Sequence, residues 1–410
     1  MKRIVILGGG TGGTMMAVKL RHALDPDDWS ITIVDRDDQH LYQPGLLFIP
    51  FGMYTERDLF KPRSRFIPDG VTLAFGELDA VDPERQKVVF VDGRSLTYDL
   101  LVVATGSRIV PEEVEGMAGP GWHERVFDFY TPEGARALGY ALQRFDGGRL
   151  VVHLTDMPIK CPVAPLEFAF LADWYLREHG LRDRTELTYV TSLPEAFTKP
   201  RAAHALGNLL DAKGINVETE FATGAVDGEA GVVRSWDERE VPFDLLVTIP
   251  IHRGSEVIAR SGMGDDLDFV PTDPYTLQSR DWANVFVIGD ATNVPTSKAG
   301  SVAHFEADVL FDNIMRWIGD REPMPAFDGH ANCFIETGFG KAVLLDFNYE
   351  TEPLPGKFPL PGVGPLTLLG ESEANHWGKM AFRSVYWNLL LTGADLSAIG
   401  PGMSMAGKWS

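Results

Sequence analysis

The amino-acid sequence predicts an α/β protein with two Rossmann-like dinucleotide-binding domains plus a small C-terminal module with an amphipathic helical tail. Three observations support this prediction: a glycine-rich turn between a strand and a helix near the start, a second run of alternating helices and strands, and a Pro- and Gly-rich segment near the end. The predicted division is 1–110 and 251–324 for the first dinucleotide-binding domain, 111–250 for the second, and 325–410 for the C-terminal module.

Length and composition are those of an ordinary globular protein. The chain has 410 residues, of which 44% are hydrophobic and 23% charged, which suffices for two or three domains. Its formal charge of -21 opposes binding to polyanions, so we expect no nucleic-acid partner. There is no run of 18 apolar residues and no signal-peptide cleavage region. We therefore expect neither a membrane span nor export, and we predict no metal site.

The N-terminal residues predict a βαβ unit. Its strand, helix and second strand fall at residues 4–7, about 14–24 and 31–34. The turn holds Gly8, Gly10 and Gly13 in the GxGxxG spacing, with Thr11 among them, and such glycines let the backbone approach a pyrophosphate. Asp35, 22 residues after Gly13, is placed to accept hydrogen bonds from adenosine ribose hydroxyls. Strand, turn, helix and acid together predict dinucleotide binding.

The rest of the chain continues the alternation. Apolar runs predict strands at residues 73–75, 87–91, 100–104, 150–154, 187–191 and 284–288. Helical patterns fall at residues 132–145, 165–178 and 302–318. A β-like segment, a Pro- and Gly-rich divider and a helical tail follow at residues 333–349, 352–366 and 375–391.

A short internal repeat supports two similar domains. Residues 97–106, TYDLLVVATG, are echoed by residues 241–250, VPFDLLVTIP. Each would be the strand that leads the chain from one nucleotide-binding domain to the other. The alternative is that Asp-Leu-Leu-Val, a common beginning of a strand, occurs twice by chance.

A second motif distinguishes flavin from nicotinamide nucleotides, which share the glycine fingerprint. Gly289 and Asp290 follow an apolar strand and resemble the late motif of flavoproteins with two dinucleotide domains, whose aspartate reaches the ribitol of FAD. Thr105 and Gly106 fit the turn that closes the first FAD lobe in those proteins. The order of the three motifs indicates FAD. In the alternative, Asp290 caps the helix that follows it.

The second domain lacks the glycine loop that a nicotinamide nucleotide needs. Its first strand is followed by TDMPIKCPVAPLEF, which has no glycine and three prolines, so we expect that NAD(P)H is not the electron donor. Cys161 stands in this loop, and the dipole of the helix that starts near Pro165 would favour its thiolate. The only other cysteine is Cys333. Taken singly, each is more often a small buried residue than a catalyst.

These motifs resemble the sulfide:quinone oxidoreductase and flavocytochrome c sulfide dehydrogenase group of FAD-dependent pyridine nucleotide-disulfide oxidoreductase-like flavoproteins. The matching residues span nearly the whole chain, at 8–13, 104–106, 160–165, 289–290, 297–300, 333–335 and 376–393. The resemblance implies that Cys161 and Cys333 bridge beside the flavin as a redox-active disulfide or polysulfide. Two departures stand out: a third cysteine expected near 120–130 is absent, and so is the early cysteine near Tyr42 that attaches the flavin covalently in flavocytochromes.

The resemblance implies that noncovalent FAD oxidises hydrogen sulfide, that a membrane quinone takes the electrons, and that zero-valent sulfur or polysulfide forms. Hydrosulfide would attack the Cys161–Cys333 bridge and leave a persulfide on one cysteine and a thiolate on the other. Lys298 is expected either to place positive charge near the flavin pyrimidine or to be an ordinary exposed lysine. Glu167 is expected to be either a proton acceptor or a partner of the helix dipole.

The tail at 375–391 is predicted to be an amphipathic helix rich in aromatic residues. Lys379 and Arg383 lie one turn apart, as cations do near lipid headgroups. With a lipid-soluble acceptor, we expect the tail to hold the protein on the cytoplasmic side of a membrane, peripherally or monotopically. Truncation after Gly370 should then leave the flavin chemistry intact. A helix packed on the protein's own core, or on a second copy in a homo-oligomer, is the alternative.

Other functions stay open at this stage. A type II NADH:quinone oxidoreductase would need the nucleotide loop that residues 155–165 do not supply. A sulfide dehydrogenase flavoprotein subunit would pass electrons to a haem or iron-sulfur partner. A sulfur-carrying or FAD-binding scaffold would show no turnover with quinone.

Overall fold

Two parallel sheets form the body of the protein, and a third sheet of mainly antiparallel pairs forms its C-terminal part. The structure is a computed structural model in which residues 1–393 and 400–409 are described. The predicted α/β class, with two Rossmann-like units and a C-terminal module, is confirmed.

The first sheet has five parallel strands. Their spatial order is Val285–Val287, Leu100–Val103, Lys2–Leu7, Trp29–Asp35 and Val71–Phe75. The two strands Leu100–Val103 and Val285–Val287 are buried along their whole length. A parallel sheet covered on both faces selects continuous apolar runs of this kind, which is why the sequence showed no alternation there.

The second sheet repeats this plan. Its parallel strands lie in the order Val126–Phe127, Leu245–Ile249, Gly148–Leu154, Thr185–Thr191 and Asn216–Glu218. The predicted strands at 150–154 and 187–191 belong to it, each two residues longer at its start than expected.

Helices connect and cover the sheets. They are α1 (Thr11–Ala23), α2 (Glu56–Leu59), α3 (Pro132–Arg144), α4 (Ala164–Glu178), α5 (Pro200–Ala212), α6 (Glu256–Arg260), α7 (Gly300–Ile318) and α8 (Glu373–Val385). A π-helical turn, Tyr386–Leu390, continues α8. Short 3-10 turns lie at Gln43–Phe48, Arg63–Phe66, Pro111–Glu113, Arg182–Arg184 and Gly289–Ala291. Among the helices of the described residues, none is both long enough and apolar enough to cross a bilayer.

The Asp-Leu-Leu-Val repeat occupies equivalent places in the two units. Each copy forms a parallel strand preceded by three antiparallel strands, Leu78–Asp82, Lys87–Phe90 and Ser95–Thr97 in the first unit and Thr223–Asp227, Val232–Ser235 and Glu240–Pro242 in the second. The chain then leaves each strand into a short segment, Ser107–Ile109 or His252–Gly254, and these two segments pair with each other. The repeat therefore reflects shared architecture rather than chance.

The C-terminal sheet consists mainly of antiparallel pairs. Its strands lie in the order Ala331–Gly338, Lys341–Phe347, Gly364–Leu368 and Gly356–Leu360, and Glu371–Ser372 pairs with the second of them. The sequence predicted a divider at 352–366, and the structure forms strands there instead. Pro359 and Pro365 face each other in the outer pair, a position toward the edge of a sheet where proline is tolerated. An additional short pair, Gln39–Leu41 with Phe60–Pro62, lies beside the first sheet.

Candidate active site

A cavity of about 640 Å³ brings residues of both units and the C-terminal module together. Most of the predicted site residues line it: Gly8, Gly10, Thr11, Asp35, Thr105, Gly106, Cys161, Glu167, Gly289, Asp290 and Lys298. Gly13 and Cys333 lie outside this lining. Gly13 is packed against the glycine turn, and Cys333 is a buried neighbour of the cavity wall.

The glycine turn joins Lys2–Leu7 to α1 in a conformation that side chains would block. Gly8 has a φ of +93°, and a Cβ there would lie 2.4 Å from the carbonyl oxygen of Ala104. A Cβ on Gly13 would lie 1.8 Å from the carbonyl oxygen of Gly8. A Cβ on Gly10 would meet no protein atom within 4 Å and would stand in open space at the cavity. The turn thus leaves free the space that a pyrophosphate requires.

Asp35 is fixed at the end of its strand by the turn itself. The Gly9 N–H donates to Asp35 Oδ2 at 2.7 Å, and Arg63 Nη1 lies 3.1 Å from the same oxygen. Arg63 is buried and also donates to the carbonyl oxygens of Gly9 and Gln39. This arginine therefore holds the acid and the glycine turn in one arrangement.

The turn at Gly289–Ala291 places Asp290 at the cavity. Ser107 Oγ donates to Asp290 Oδ2 at 3.4 Å, and the Gly289 N–H donates to Glu306 Oε2 at 2.6 Å. Helix α7 begins at Gly300 with Ala299 in the capping position. The alternative in which Asp290 caps this helix is therefore wrong.

Cys161 lies in a loop that is tied to the Gly-Asp side of the cavity. Its N–H donates to the carbonyl oxygen of Lys298 at 2.7 Å, and its own carbonyl accepts from the Ala164 N–H at 2.8 Å. Cys161 has a φ of +49°, which is rare for a residue with a side chain. Such conformations cluster at functional sites, because surrounding contacts must hold them in place.

Cys333 lies on the strand Ala331–Gly338 and is a neighbour of Cys161. Both cysteines are free thiols. Ionised Cys161 raises the pKa of Cys333, because two negative charges close together repel each other. Burial raises the pKa of Cys161 to about 11 and raises the pKa of Cys333 as well. The predicted helix-stabilised thiolate is therefore wrong for this state, because the cost of burying the charge exceeds the effect of the helix end.

A buried ion pair stands beside the cysteines. Lys379 Nζ of α8 lies 2.9 Å from Glu167 Oε1 of α4 and donates to the Phe334 carbonyl at 3.1 Å. Burial raises the pKa of Glu167, and the Lys379 charge opposes that rise. The same charge is the largest influence lowering the pKa of Cys161. Glu167 is thus a buried partner of Lys379, so the helix-dipole alternative does not describe its main contact.

Lys298 is buried, so the alternative of an ordinary exposed lysine is wrong. Its Nζ donates to the carbonyl oxygens of Thr292 at 2.6 Å and Asp290 at 3.1 Å and lies 4.0 Å from the centre of the Phe269 ring. Burial lowers the pKa of Lys298. Its first contribution is therefore to fix the loop that carries Asp290.

The helical tail packs into the site on one side. The hydroxyls of Tyr386 and Thr11 share a hydrogen bond of 2.8 Å, and His40 Nε2 lies 2.6 Å from the same tyrosine hydroxyl. Trp387 is buried and stacks on Phe66 at 5.2 Å. With Lys379 paired to Glu167, the prediction that its cation faces lipid headgroups is wrong.

Comparison with known proteins places this geometry among flavoproteins. The family model described as "Pyridine nucleotide-disulphide oxidoreductase" matches residues 2–152. The mitochondrial sulfide:quinone oxidoreductases of Mus musculus and Dictyostelium discoideum are 25% and 28% identical to this chain. Each match covers 95% of this chain and 86% of the relative's own length. Over nearly its whole length, the chain is similar to sulfide:quinone oxidoreductases. The solved sulfide:quinone oxidoreductase of Aquifex aeolicus has the same fold, with a TM-score of 0.81 and 22% identity over 96% of this chain and 92% of that one.

The predicted resemblance, the flavoprotein oxidoreductase class and FAD as cofactor are thereby confirmed. The cavity of this protein fits that cofactor. Thr105 Oγ1 is buried at its wall without a hydrogen-bond partner among the described residues, and the space at Gly10 is open. Asp35 and Asp290 both supply carboxylates to the wall of the cavity. These residues would hold the nucleotide and ribitol parts of FAD.

The sequence analysis missed three residues of this site, Arg63, Lys379 and Tyr386. Arg63 lies in a short 3-10 turn that has no recognisable motif. A sequence signal for Lys379 and Tyr386 was present, because they recur with Asn375 at helical spacing. In the structure, the side chains of all three residues make polar contacts within the protein. Polar residues at regular spacing among aromatic ones indicate a helix face that contacts a site rather than lipid.

Proposed function

We propose that this protein oxidises sulfide at Cys161 and Cys333 and that the electrons pass by way of FAD to a quinone, with polysulfide or zero-valent sulfur as the product. One observation supports the proposal above all others. The chain has only two cysteines, far apart in sequence, and they are neighbours beside a cavity that holds the FAD fingerprint.

FAD, when bound, accepts two electrons from sulfur and releases them to the quinone. The residues of this chain orient it and supply charge around it. The glycine turn and Asp35 would hold its nucleotide part, and the loop with Asp290, fixed by Lys298, would hold its ribitol part. The proline-containing loop with Cys161 occupies the place where a second nucleotide would need glycines, which supports sulfide over NADH as the donor.

In the oxidised enzyme we place a disulfide between Cys161 and Cys333. HS⁻ attacks one sulfur, the S–S bond breaks, and one cysteine carries a persulfide while the other becomes a thiolate. The pKa of Cys161 is raised less than that of Cys333, so Cys161 is the better leaving thiolate and the new sulfur stays on Cys333. Loss of two electrons and one proton from this pair then joins the thiolate to the persulfide as a trisulfide.

Anaerobic titration of the purified yellow protein tests the proposal. Sulfide should bleach the flavin absorbance, a soluble quinone should restore it, and NADH should leave it unchanged. Bleaching by NADH and not by sulfide would instead assign the protein to the NADH:quinone reductases. Copurification with a coloured second chain, together with no response to quinone, would assign it as a subunit that passes electrons to that chain.

We further propose that the protein lies on a membrane surface through residues 375–391, with its quinone entering from the bilayer. The outward face of this tail carries Trp377, 67% exposed, and Leu389, 39% exposed. In the same module, the turn between Gly356–Leu360 and Gly364–Leu368 exposes Leu360 and Val363 at 58% and 76%. These side chains are suited to the interface of a bilayer.

Sedimentation with lipid vesicles tests this placement. The double variant Trp377→Ser with Val363→Ser should lose most vesicle binding while it keeps FAD. Trp236→Ser is the matched control, because Trp236 is 77% exposed in the second unit, and its binding should equal that of the unaltered protein. Equal vesicle binding by both variants would contradict the proposal.

A further inference from the structure

Behind the ion pair of Lys379 and Glu167 lies a second acid that the proposed sulfur chemistry does not use. Glu336 Oε2 is 2.8 Å from His376 Nδ1, and the Glu336 N–H donates to Glu167 Oε1 at 3.1 Å. Its other oxygen, Oε1, is buried and has no hydrogen-bond partner among the described residues. A buried carboxyl oxygen without a partner is costly, so its retention needs a reason.

A series of titratable groups surrounds Glu336. Glu167 faces it from α4, and Lys379 and His376 face it from α8. Glu167 and Lys379 line the cavity, whereas the His376 side chain is 15% exposed. Burial raises the pKa of Glu336 to about 7, so this carboxyl exchanges a proton near neutral pH. The series therefore runs from the cavity to the protein surface through groups that bind and release protons.

The proposed reaction needs a proton from outside the cavity. HS⁻ gives up two electrons and one proton when it becomes zero-valent sulfur, and a quinone takes two electrons and two protons when it becomes a quinol. One proton per turnover must therefore come from solvent. Charge cannot cross a buried site cheaply by itself, so a path of titratable groups is required.

We propose that Glu336 and His376 are the proton path between solvent and the Glu167–Lys379 end of the cavity. His376 exchanges its proton with water, passes one to Glu336 Oε2, and Glu336 releases one from its unpartnered oxygen toward the ion pair. The inference rests on the proposed function, because it assigns the source of the quinol proton. Neither residue touches the reacting atoms.

Stopped-flow measurement of the quinone half-reaction alone tests this path. Enzyme reduced with dithionite is mixed with a soluble quinone, so sulfide plays no part. Glu336→Gln and His376→Gln should each slow flavin reoxidation about tenfold or more. The dependence of the rate on pH near neutrality should disappear in Glu336→Gln. Sulfide-driven bleaching should stay within about threefold of the unaltered enzyme. Glu373→Gln, an exposed change on the first turn of α8, should alter neither rate.

A readout independent of turnover is infrared titration through neutral pH. The band of a protonated carboxyl that appears as the pH falls through about 7 should be larger in the unaltered enzyme than in Glu336→Gln by the share of one carboxyl. Glu306, whose pKa is also raised to about 7, contributes equally to both and cancels in the difference spectrum. Reoxidation by Glu336→Gln at the rate of the control would overturn the path, as would equal slowing of both half-reactions. If Glu336→Gln does not fold, His376→Gln decides by the same criteria. Failure of the unaltered enzyme to react with quinone would contradict the proposed function instead.

Discussion

At the scale of single residues, burial governs the chemistry of this site. It raises the pKa of the thiols of Cys161 and Cys333 and of the carboxyls of Glu167 and Glu336. One cation, Lys379, opposes the effect on Cys161 and Glu167. Charges exert large effects where water is excluded, so a single lysine beside the two cysteines favours their thiolate forms.

The first prediction concerns the cysteine pair. Cys333→Ser keeps nearly the same size but cannot form the bridge, so sulfide has no electrophilic sulfur to attack. Sulfide-driven bleaching should fall by orders of magnitude, while dithionite should still bleach the flavin. Cys161→Ser should behave alike, and the double variant should be scarcely worse, because the two sulfurs act as one unit. Near-normal bleaching in either variant would show that the cysteines only fill space.

The second prediction concerns Lys379. Lys379→Met should slow sulfide-driven bleaching about tenfold, because the Cys161 thiolate loses its neighbouring cation. It should also lower the free energy of unfolding by about 3 kcal/mol, since Glu167 is left buried and unpaired. Adding Glu167→Gln should restore stability but not rate. Arg383→Met is the control. Arg383 lies on α8 like Lys379, but it is partly exposed and pairs with Asp58 of α2, so its replacement should leave the rate unchanged.

The third prediction is a pH dependence of stability from Glu306. Burial raises the pKa of Glu306 from 4.5 to about 7, so between these values the folded protein keeps a proton that the unfolded chain releases. The contribution of Glu306 to stability is therefore present at low pH and falls as the pH rises through this window, by about 3 kcal/mol at most. Glu306→Gln should flatten this slope in urea unfolding. The exposed change Glu322→Gln should keep it, and equal slopes in the two variants would contradict the assignment.

At the scale of elements, α8 and its π-helical turn connect the C-terminal sheet to α1, the helix that follows the glycine turn. Gly378 packs on Phe334, Lys379 enters the cavity, and Tyr386 meets Thr11 on α1. An amphipathic helix that served only for membrane attachment would expose its aromatic residues to lipid. This helix instead turns Trp387 inward and leaves only part of its outer face free. The tail is therefore a component of the site as well as a surface element.

The fourth prediction follows from that position. Truncation after Gly370 was expected from sequence to spare the flavin chemistry, and the structure predicts the opposite, because Lys379, Tyr386 and Trp387 would be lost together. The truncated protein should be purified without FAD. Tyr386→Phe, which removes only the hydrogen bonds to Thr11 and His40, should weaken FAD binding by about 1 kcal/mol. Trp377→Phe, on the outer face, should leave the FAD dissociation constant unchanged, and truncation that retains yellow colour would show that the tail is dispensable.

At the scale of the whole molecule, the sequence predicted what depends on local pattern. The glycine turn, Asp35 and the buried parallel strands were predictable because glycine conformation and apolar runs are properties of a few neighbouring residues. The strands at Gly356–Leu360 and Gly364–Leu368 were missed because prolines obscured them, although pairing at a sheet edge tolerates proline. The spacing of Lys379 could place it on a site-facing helix face, but its partner Glu167 was not predictable, since that contact joins α8 to α4 across 212 residues.

The same dependence on distant segments appears in the assembly of the first sheet. Leu100–Val103 and Lys2–Leu7 pair early in the sequence, but Val285–Val287 reaches the edge of that sheet from the far part of the chain. The two halves of the cavity therefore depend on contacts that no local pattern encodes. This is why motifs located the site residues while leaving their partners unassigned.

The hydrogen bond between Thr11 and Tyr386 joins positions 375 residues apart. On the ribosome, residues near the N-terminus emerge and begin to fold first. Helix α1 of this protein can form its contact with Tyr386 only after that residue has been translated. The turn Gly289–Ala291, which carries Asp290, is also synthesised long after α1. Cofactor capture is therefore the closing event of biosynthesis, and a nascent chain halted before Tyr386 would carry a formed first sheet but no stably retained flavin.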